Sequence, residues 1–517
     1  MEQEQAAGST AARWLEGRRF GSIVAAALVA SSLPYLYRLA RLPPGHRLLG
    51  GDFRNLGDIY TYVAWMKQAA QGHGLFMLLY DPTPQKRALF LPFFLVLGWI
   101  GRITRLDLML VLHLARVASS ALLMLAARWF CRTLLSDPGL RLRAFLLLTL
   151  GSGLPALIPE ACPFSSMFDS ALFAFSWVVI LIAGGTWLRA CREGSSRWAA
   201  ITGACGATML LVHPYDAVSL TALCVASTVV GICQRDPRGT SPRPTKGTAP
   251  GPAAGHIARL ALVGLTMAPA AAIVLWSFAQ NPRLRSWAGT PRPTAGWEVL
   301  SFGSLLILAG AAIAARRYRE RGVDPLLVAW VASSLLLMFA PVPSQRRYIQ
   351  GLMAPLAILG AHGFRILHGA GLRRLANHAF ACAFPASAVM LVVDMSEIIP
   401  DVPRFYPAAA IADIQALEHL PDGVILAQPG IDYFVPPFSG RQVYAGHVDQ
   451  TPDPLLRQLF FQDFAADPLC VAGPQLAAKR IRWILVDARM PSPPRTGVAE
   501  VRTLRTTRLL EVLTPPP

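Results

Sequence analysis

Acidic side chains gather where apolar sequence gives way to polar sequence, and a pair of arginines does the same. Asp52 and Asp58 follow the first long apolar stretch, and Glu160 and Asp169 lie in LIPEACPFSSMFDS. His213 and Asp216 sit in HPYD, while Arg346, Arg347 and Tyr348 belong to a short QRRY loop between apolar blocks. A carboxylate within hydrogen-bond reach of a hydroxyl proton assists attack by that hydroxyl. Carboxylate oxygens are also the ligand type of Mg²⁺ or Mn²⁺, although the spacing fixes no separation between these acids. Adjacent arginines are permanently charged and bind phosphate with paired hydrogen bonds, which suits a lipid-linked phosphate or an anionic headgroup. Each group has a plainer reading as well. Asp58 can cap a helix N-terminus and meet its dipole, His213 and Asp216 can cap a turn, and acids at a membrane edge can be solvated. In FSGRQVYAGHVDQTPD (residues 438–453), Arg441 and His447 offer a binding surface or pack a tight loop between strands.

The elements that must position these residues are mostly membrane helices. Of the 517 residues, 53% are hydrophobic and 15% charged, against about 25% charged in a typical soluble protein. The deficit is concentrated in apolar blocks of roughly 16 to 25 residues, and about 20 residues of helix cross a bilayer core. Alternation at period two is absent from these blocks, which argues against an outer-membrane barrel. The net charge of +18 does not indicate a nucleic-acid partner. Its arginines cluster in short loops between apolar blocks, as the positive-inside rule requires. The eight cysteines form neither a CxxC pair nor a Cys/His metal spacing, so they read as small packing groups.

The first block, residues 20–40, follows basic residues, has no convincing cleavage site and is long enough to remain as a span. It delivers an outer loop, 41–88, in which residues 58–72 are amphipathic at helical period. Tyr62, Trp65, Met66 and Ala69 share one face, so a helix lying in the membrane interface is expected. The next block, 88–103, decides the topology. If it crosses, four arginine clusters (around Arg132, Arg192, Arg317 and Arg373) fall outside; if it enters only partway, all fall inside. The second arrangement leaves about eleven spans: 20–40, 107–129, 143–158, 167–188, 198–213, 215–233, 257–279, 298–315, 324–341, 349–368 and 376–398. Residues 234–255 have a linker's composition and fall on the cytoplasmic side. After Ile399 short apolar runs such as GVILA, RIRWILVDA and RLLEVL read as strands, with a helix over ADIQALEHL.

The expected architecture is therefore an all-α polytopic membrane domain with a small C-terminal α/β domain. It comprises a cytoplasmic N-terminus (1–19), a transmembrane domain (20–399) and an extracytoplasmic domain (400–517). The odd number of spans places the C-terminal domain of this multi-pass chain outside the cytoplasm, and the Arg- and Ala-rich composition, like that of a high-GC bacterium, makes the expected membrane a bacterial inner one with that domain on its periplasmic side.

An Asp shortly after the first span, then a Tyr and a helix ending in Gly (Asp58-Ile-Tyr-Thr-Tyr…Gly72), resembles the first outer loop of the GT-C glycosyltransferases. That superfamily includes protein O-mannosyltransferases, aminoarabinose transferases and oligosaccharyltransferases. The partial membrane segment and the C-terminal domain are similar too, and GSG…PEA, HPYD, QRRY…GLMAPLAILG and FSGRQVYAGHVDQTPD resemble motifs of a bacterial GT-C-like branch. The resemblance implies transfer of a sugar from a polyprenyl-phosphate donor to a glycan, lipid or protein acceptor at the outer face, usually with inversion. It implies Asp58 as the catalytic acid that acts as base on the acceptor, with Asp52 beside it and Glu160 as the second acid. It also implies that Arg346 and Arg347 balance the departing phosphate, with Tyr348, His213, Asp216, Asp169, Arg441 and His447 toward substrate. Two departures leave the acceptor open: the mannosyltransferases' Asp-Glu is Asp58-Ile59 here, and no WWD-type signature is present. A transporter or flippase of a lipid-linked or anionic substrate, and a non-catalytic GT-C-like scaffold, are the competing readings. No internal repeat supports the transporter.

Overall fold

The computed structural model describes residues 18–49, 56–152, 160–233, 252–289, 293–294, 296–317, 324–341, 344–396, 405–447, 450–466, 473–490 and 498–513. Asp52 and most of the 234–255 linker lie outside these residues. The chain forms two compact units. The first comprises residues 1–34, 114–275 and 289–396; the second comprises 35–113, 276–288 and 397–517.

Among the described residues, six helices are long and apolar enough to cross a membrane: Phe20–Ala40, Leu108–Leu134, Ala171–Glu193, Pro214–Cys233, Ala253–Gln280 and Arg373–Met395. The last is broken after Ala381 and restarts at Pro385, a residue suited to a first helical position. The spans expected at 143–158, 198–213, 298–315, 324–341 and 349–368 fold as helices of 12, 17, 14, 15 and 17 residues. At about 1.5 Å per residue these are shorter than a bilayer core of about 30 Å. Two starts differ from the pattern. Pro163–Asp169 is a separate short helix that ends at an extended Ser170, so the span begins at Ala171. Gly296–Leu300 is likewise a separate turn of helix, and the span proper begins at Ser304.

In the first unit the helices approach closely through small residues. Ser304–Arg317 packs along Met353–Gly369, and a Cβ on Gly363 would lie 1.7 Å from the Leu308 carbonyl oxygen. Only glycine allows that backbone contact, the usual device where apolar packing gives no advantage over lipid. The hydroxyls of Thr186 and Thr202 join Ala171–Glu193 to Ser196–Val212 at 2.9 Å. Large apolar side chains such as Leu265 and Leu336 point outward, as lipid contact would allow.

The second unit brings distant sequence together. Strand β1 (His46–Leu48) pairs antiparallel with β2 (Phe405–Pro407). A four-stranded sheet runs in the order β3 (Val424–Ala427), β4 (Ile481–Asp487), β6 (Thr507–Val512), β5 (Val498–Thr503). β3 and β4 are parallel, and helices Pro454–Ala466 and Gly473–Ala478 lie in the crossover; the other pairs are antiparallel. Phe461, Phe464 and Leu476 from that crossover cover Val424, Ile484 and Leu510 to form its core.

The helix Leu56–Ala70, expected in the membrane interface, is instead enclosed by protein. Its apolar face packs on Pro92–Thr104, where Tyr62 stacks on Phe94 at 4.3 Å and Trp65 meets the same ring at 5.8 Å. Gly98 permits this approach, because a Cβ there would lie 2.4 Å from the Met66 carbonyl oxygen. The polar side is tied down by Lys67 to Glu418 at 2.8 Å and by Gln71 to the Ser439 carbonyl at 3.2 Å. The amphipathic pattern therefore records burial between protein surfaces. Pro92–Thr104, with 13 residues, is about 20 Å long, shorter than a bilayer core of about 30 Å.

Candidate active site

In the second unit, Asp58 lies in the first turn of Leu56–Ala70, where the helix dipole favours a carboxylate. Its side chain is 33% exposed on a helix otherwise mostly buried. His447 Nε2 stands 3.7 Å from Asp58 Oδ1. The histidine is buried beside the rings of Tyr80 and Tyr433, with centroid distances of 5.6 and 6.4 Å. Its loop is stitched to residues 79 and 80: Val443 donates to the Leu79 carbonyl at 2.9 Å, and Thr451 Oγ1 donates to the Tyr80 carbonyl at 2.9 Å.

Arg441 anchors the same loop. It donates to the carbonyls of Leu417 and Glu418 at 3.2 and 2.9 Å and pairs with Asp422 at 3.0 Å. These three contacts hold the guanidinium against residues 417–422. Asp432, earlier in the chain, is buried and accepts from the backbone N–H groups of Gly430 and Tyr433, each at 2.9 Å. Burial nevertheless pushes its carboxyl up to about 7, because those hydrogen bonds only partly offset desolvation. Glu418 moves the other way. Burial raises it, but hydrogen bonds from Lys67 and Gln71 outweigh that and hold it below the usual carboxylate range.

In the first unit, the HPYD and QRRY motifs meet. The Arg347 guanidinium lies 4.6 Å above the Tyr215 ring, and Tyr348 packs edge-on to Tyr215 at 6.4 Å. The turn of 3₁₀-helix that carries them, Gln345–Ile349, follows Ser344 at a positive φ of 57°. His213 Nδ1 lies 3.1 Å from Asp216 Oδ1, and Ser176 donates to the other oxygen of Asp216. Asp216 also lines a small cavity with Ser219, Trp330 and Gln350.

Arg346 pairs with Glu298 at 3.3 Å. Sequence reasoning missed this glutamate by absorbing it into the 298–315 span; its signal was an acid at the edge of an apolar block. Glu298 is buried, whereas its neighbour Trp297 is more than half exposed. Glu160 stands half-buried in the turn before Pro163–Asp169, its carbonyl accepting from Trp177 at 3.1 Å. Asp169 is buried at the end of that short helix.

The arrangement thus contains a carboxylate with an imidazole against it in one unit and an arginine pair held by aromatic and acidic groups in the other. Among the described residues, no three His, Cys, Asp or Glu side chains converge to hold a metal ion.

No protein-family model matches the sequence, and comparison with curated proteins finds no match. Solved structures do match, and they are GT-C glycosyltransferases. The apo oligosaccharyltransferase of Archaeoglobus fulgidus is 13% identical with a TM-score of 0.55, over 92% of this chain and 70% of its own; a further structure of it is a complex with Zn and sulfate. ArnT of Cupriavidus metallidurans bound to undecaprenyl phosphate is 14% identical with a TM-score of 0.51, over 96% and 98%. The mycobacterial arabinofuranosyltransferase AftD is 14% identical with a TM-score of 0.56, over 96% of this chain and 42% of its own. At these identities the likeness establishes the GT-C fold.

Proposed function

We propose that this chain, built on the GT-C fold, is a membrane glycosyltransferase that moves a sugar from a polyprenyl-phosphate carrier to a hydroxyl-bearing acceptor. The observation that carries the reading is Asp58: a partly exposed carboxylate at the positive end of a mostly buried helix, backed by a buried histidine. The undecaprenyl phosphate bound to the similar ArnT supports the class of carrier.

In this reading the Asp58 carboxylate accepts the proton of the acceptor hydroxyl as its oxygen bonds to the anomeric carbon. The bond from that carbon to the phosphate oxygen breaks, and polyprenyl phosphate leaves with the electron pair. Arg346 and Arg347 are assigned to bind the phosphate of the polyprenyl carrier through charge-assisted hydrogen bonds. Tyr215 and Glu298 hold those two guanidinium groups in place. In this reading Glu160 is the second acid, and Tyr348, His213, Asp216 and Asp169 contact substrate. A divalent ion is compatible with the class, given the Zn complex of the similar oligosaccharyltransferase, but no step above depends on one. The reaction is assigned to the outer face of the inner membrane.

Binding of the carrier tests the phosphate role. Full-length protein in detergent is titrated with undecaprenyl phosphate and, separately, with undecaprenol. The reading expects phosphate-dependent binding that is lost in the R346A/R347A double variant. Equal binding of the two lipids by the wild type contradicts it.

A further inference from the structure

We propose that His447 is a positioning residue for Asp58: its Nε2–H, fixed in that tautomer by the main chain of Gln450, orients the carboxylate that takes the acceptor proton. The inference rests on the reading of Asp58 as the base. Its support is geometric.

The backbone N–H of Gln450 lies 3.2 Å from His447 Nδ1. A backbone amide can only donate, so Nδ1 must present its lone pair, and in the neutral ring the proton resides on Nε2. Nε2 is the nitrogen that faces Asp58 Oδ1, at 3.7 Å. The contact becomes a hydrogen bond of about 3 Å after less than an ångström of travel, the kind of tightening expected when substrate binds.

The ring has little freedom to do anything else. Thr451 N–H donates to the His447 carbonyl at 2.8 Å, and Tyr80 and Tyr433 flank the imidazole. The residue before Asp58 is also fitted to it: a Cβ on Gly57 would lie 3.0 Å from Nε2. The histidine reaches the carboxylate because residue 57 has no side chain. One carboxylate oxygen held by Nε2–H leaves the other to receive a proton, and a base displaced by about 1 Å loses on the order of 100-fold in rate.

The experiment uses the full chain reconstituted in nanodiscs, with two readouts. In the first, ¹⁵N-histidine spectra identify the His447 ring by its loss in His447→Gln. The proposal expects a protonated Nε2, an unprotonated Nδ1 and a shift of Nε2 in Asp58→Asn; a protonated Nδ1, or no response to Asp58→Asn, overturns it. In the second, release of undecaprenyl phosphate from a panel of undecaprenyl-phosphate sugars is measured. His447→Leu should lower kcat about 100-fold with KM little changed. His447→Gln, whose amide can donate from the Nε2 position, should recover most of that loss. An inactive Asp58→Asn beside a fully active His447→Leu overturns the proposal. A fully active Asp58→Asn overturns the reading of Asp58 itself. If no sugar of the panel is turned over, the spectra alone decide the positioning.

Discussion

Replacing Asp432 by asparagine should stabilise the protein at neutral pH and remove a pH dependence from its unfolding. The carboxyl is buried, and desolvation raises it from 3.8 in an exposed chain to about 7 in the fold. A carboxyl raised on folding contributes stability that is fully present below its unfolded value and is lost as pH rises to its folded value. The window is therefore about pH 4 to 7. Across it the loss amounts to about 4 kcal/mol, at about 1.4 kcal/mol per pH interval. The amide side chain of the Asp432→Asn variant would keep an oxygen to accept from Gly430 and Tyr433 without carrying a charge. Thermal unfolding of the full-length protein in detergent, from pH 4.5 to 8, compares the two proteins. The melting temperature of the wild type should fall relative to the variant as pH rises, with the gap constant above pH 7. Parallel curves for the two proteins, or a variant less stable at pH 8, would refute the argument.

Three other outcomes can be checked. Gly363→Ala drives a methyl group into the Leu308 backbone and should destabilise the membrane unit by about 3 kcal/mol or more, whereas Gly310→Ala, with open space around it, should be neutral; melting in detergent compares them. Lys67→Met leaves Glu418 without its ammonium partner, so that carboxyl should titrate at higher pH and protease sensitivity between residues 71 and 91 should increase. The outer-face orientation predicts that cysteines placed at the exposed Trp297 and Leu455 react with an impermeant reagent in sealed spheroplasts on a cysteine-free background, while one at the buried Ser439 does not. Protection of both exposed positions would contradict it.

Much of this fold is legible in the sequence because lipid burial and strand pairing leave simple periodic marks. The helix Phe20–Ala40 is written as a predominantly apolar block, and GVILA, RIRWILVDA and RLLEVL become β3, β4 and β6 as expected. Strand β5, over VAEVRT, escapes because its charged residues resemble a loop. Long-range pairing is invisible to such patterns: nothing in HRL announces FYP as its partner more than 350 residues away. The same limit applies to the candidate site. HPYD and QRRY each stand out as polar islands in apolar surroundings, but only packing reveals that Tyr215 carries Arg347 and Tyr348. Glu298 is hidden because a short helix and a turn separate it from the apolar run it adjoins. For Leu56–Ala70, amphipathicity shows that one face is buried without saying whether lipid or protein covers it.

The central claim is tested most directly by turnover. Wild-type protein and Asp58→Asn are reconstituted with undecaprenyl-phosphate sugars, and release of undecaprenyl phosphate together with sugar transfer to a hydroxyl-bearing acceptor is followed over time. The account predicts coupled release and transfer by the wild type, and a loss of several hundred-fold or more in Asp58→Asn with insertion and melting unchanged, consistent with removal of a general base worth about 10²–10⁴. Equal turnover by the two proteins would contradict it, as would passage of the lipid-linked sugar across the bilayer without any transfer.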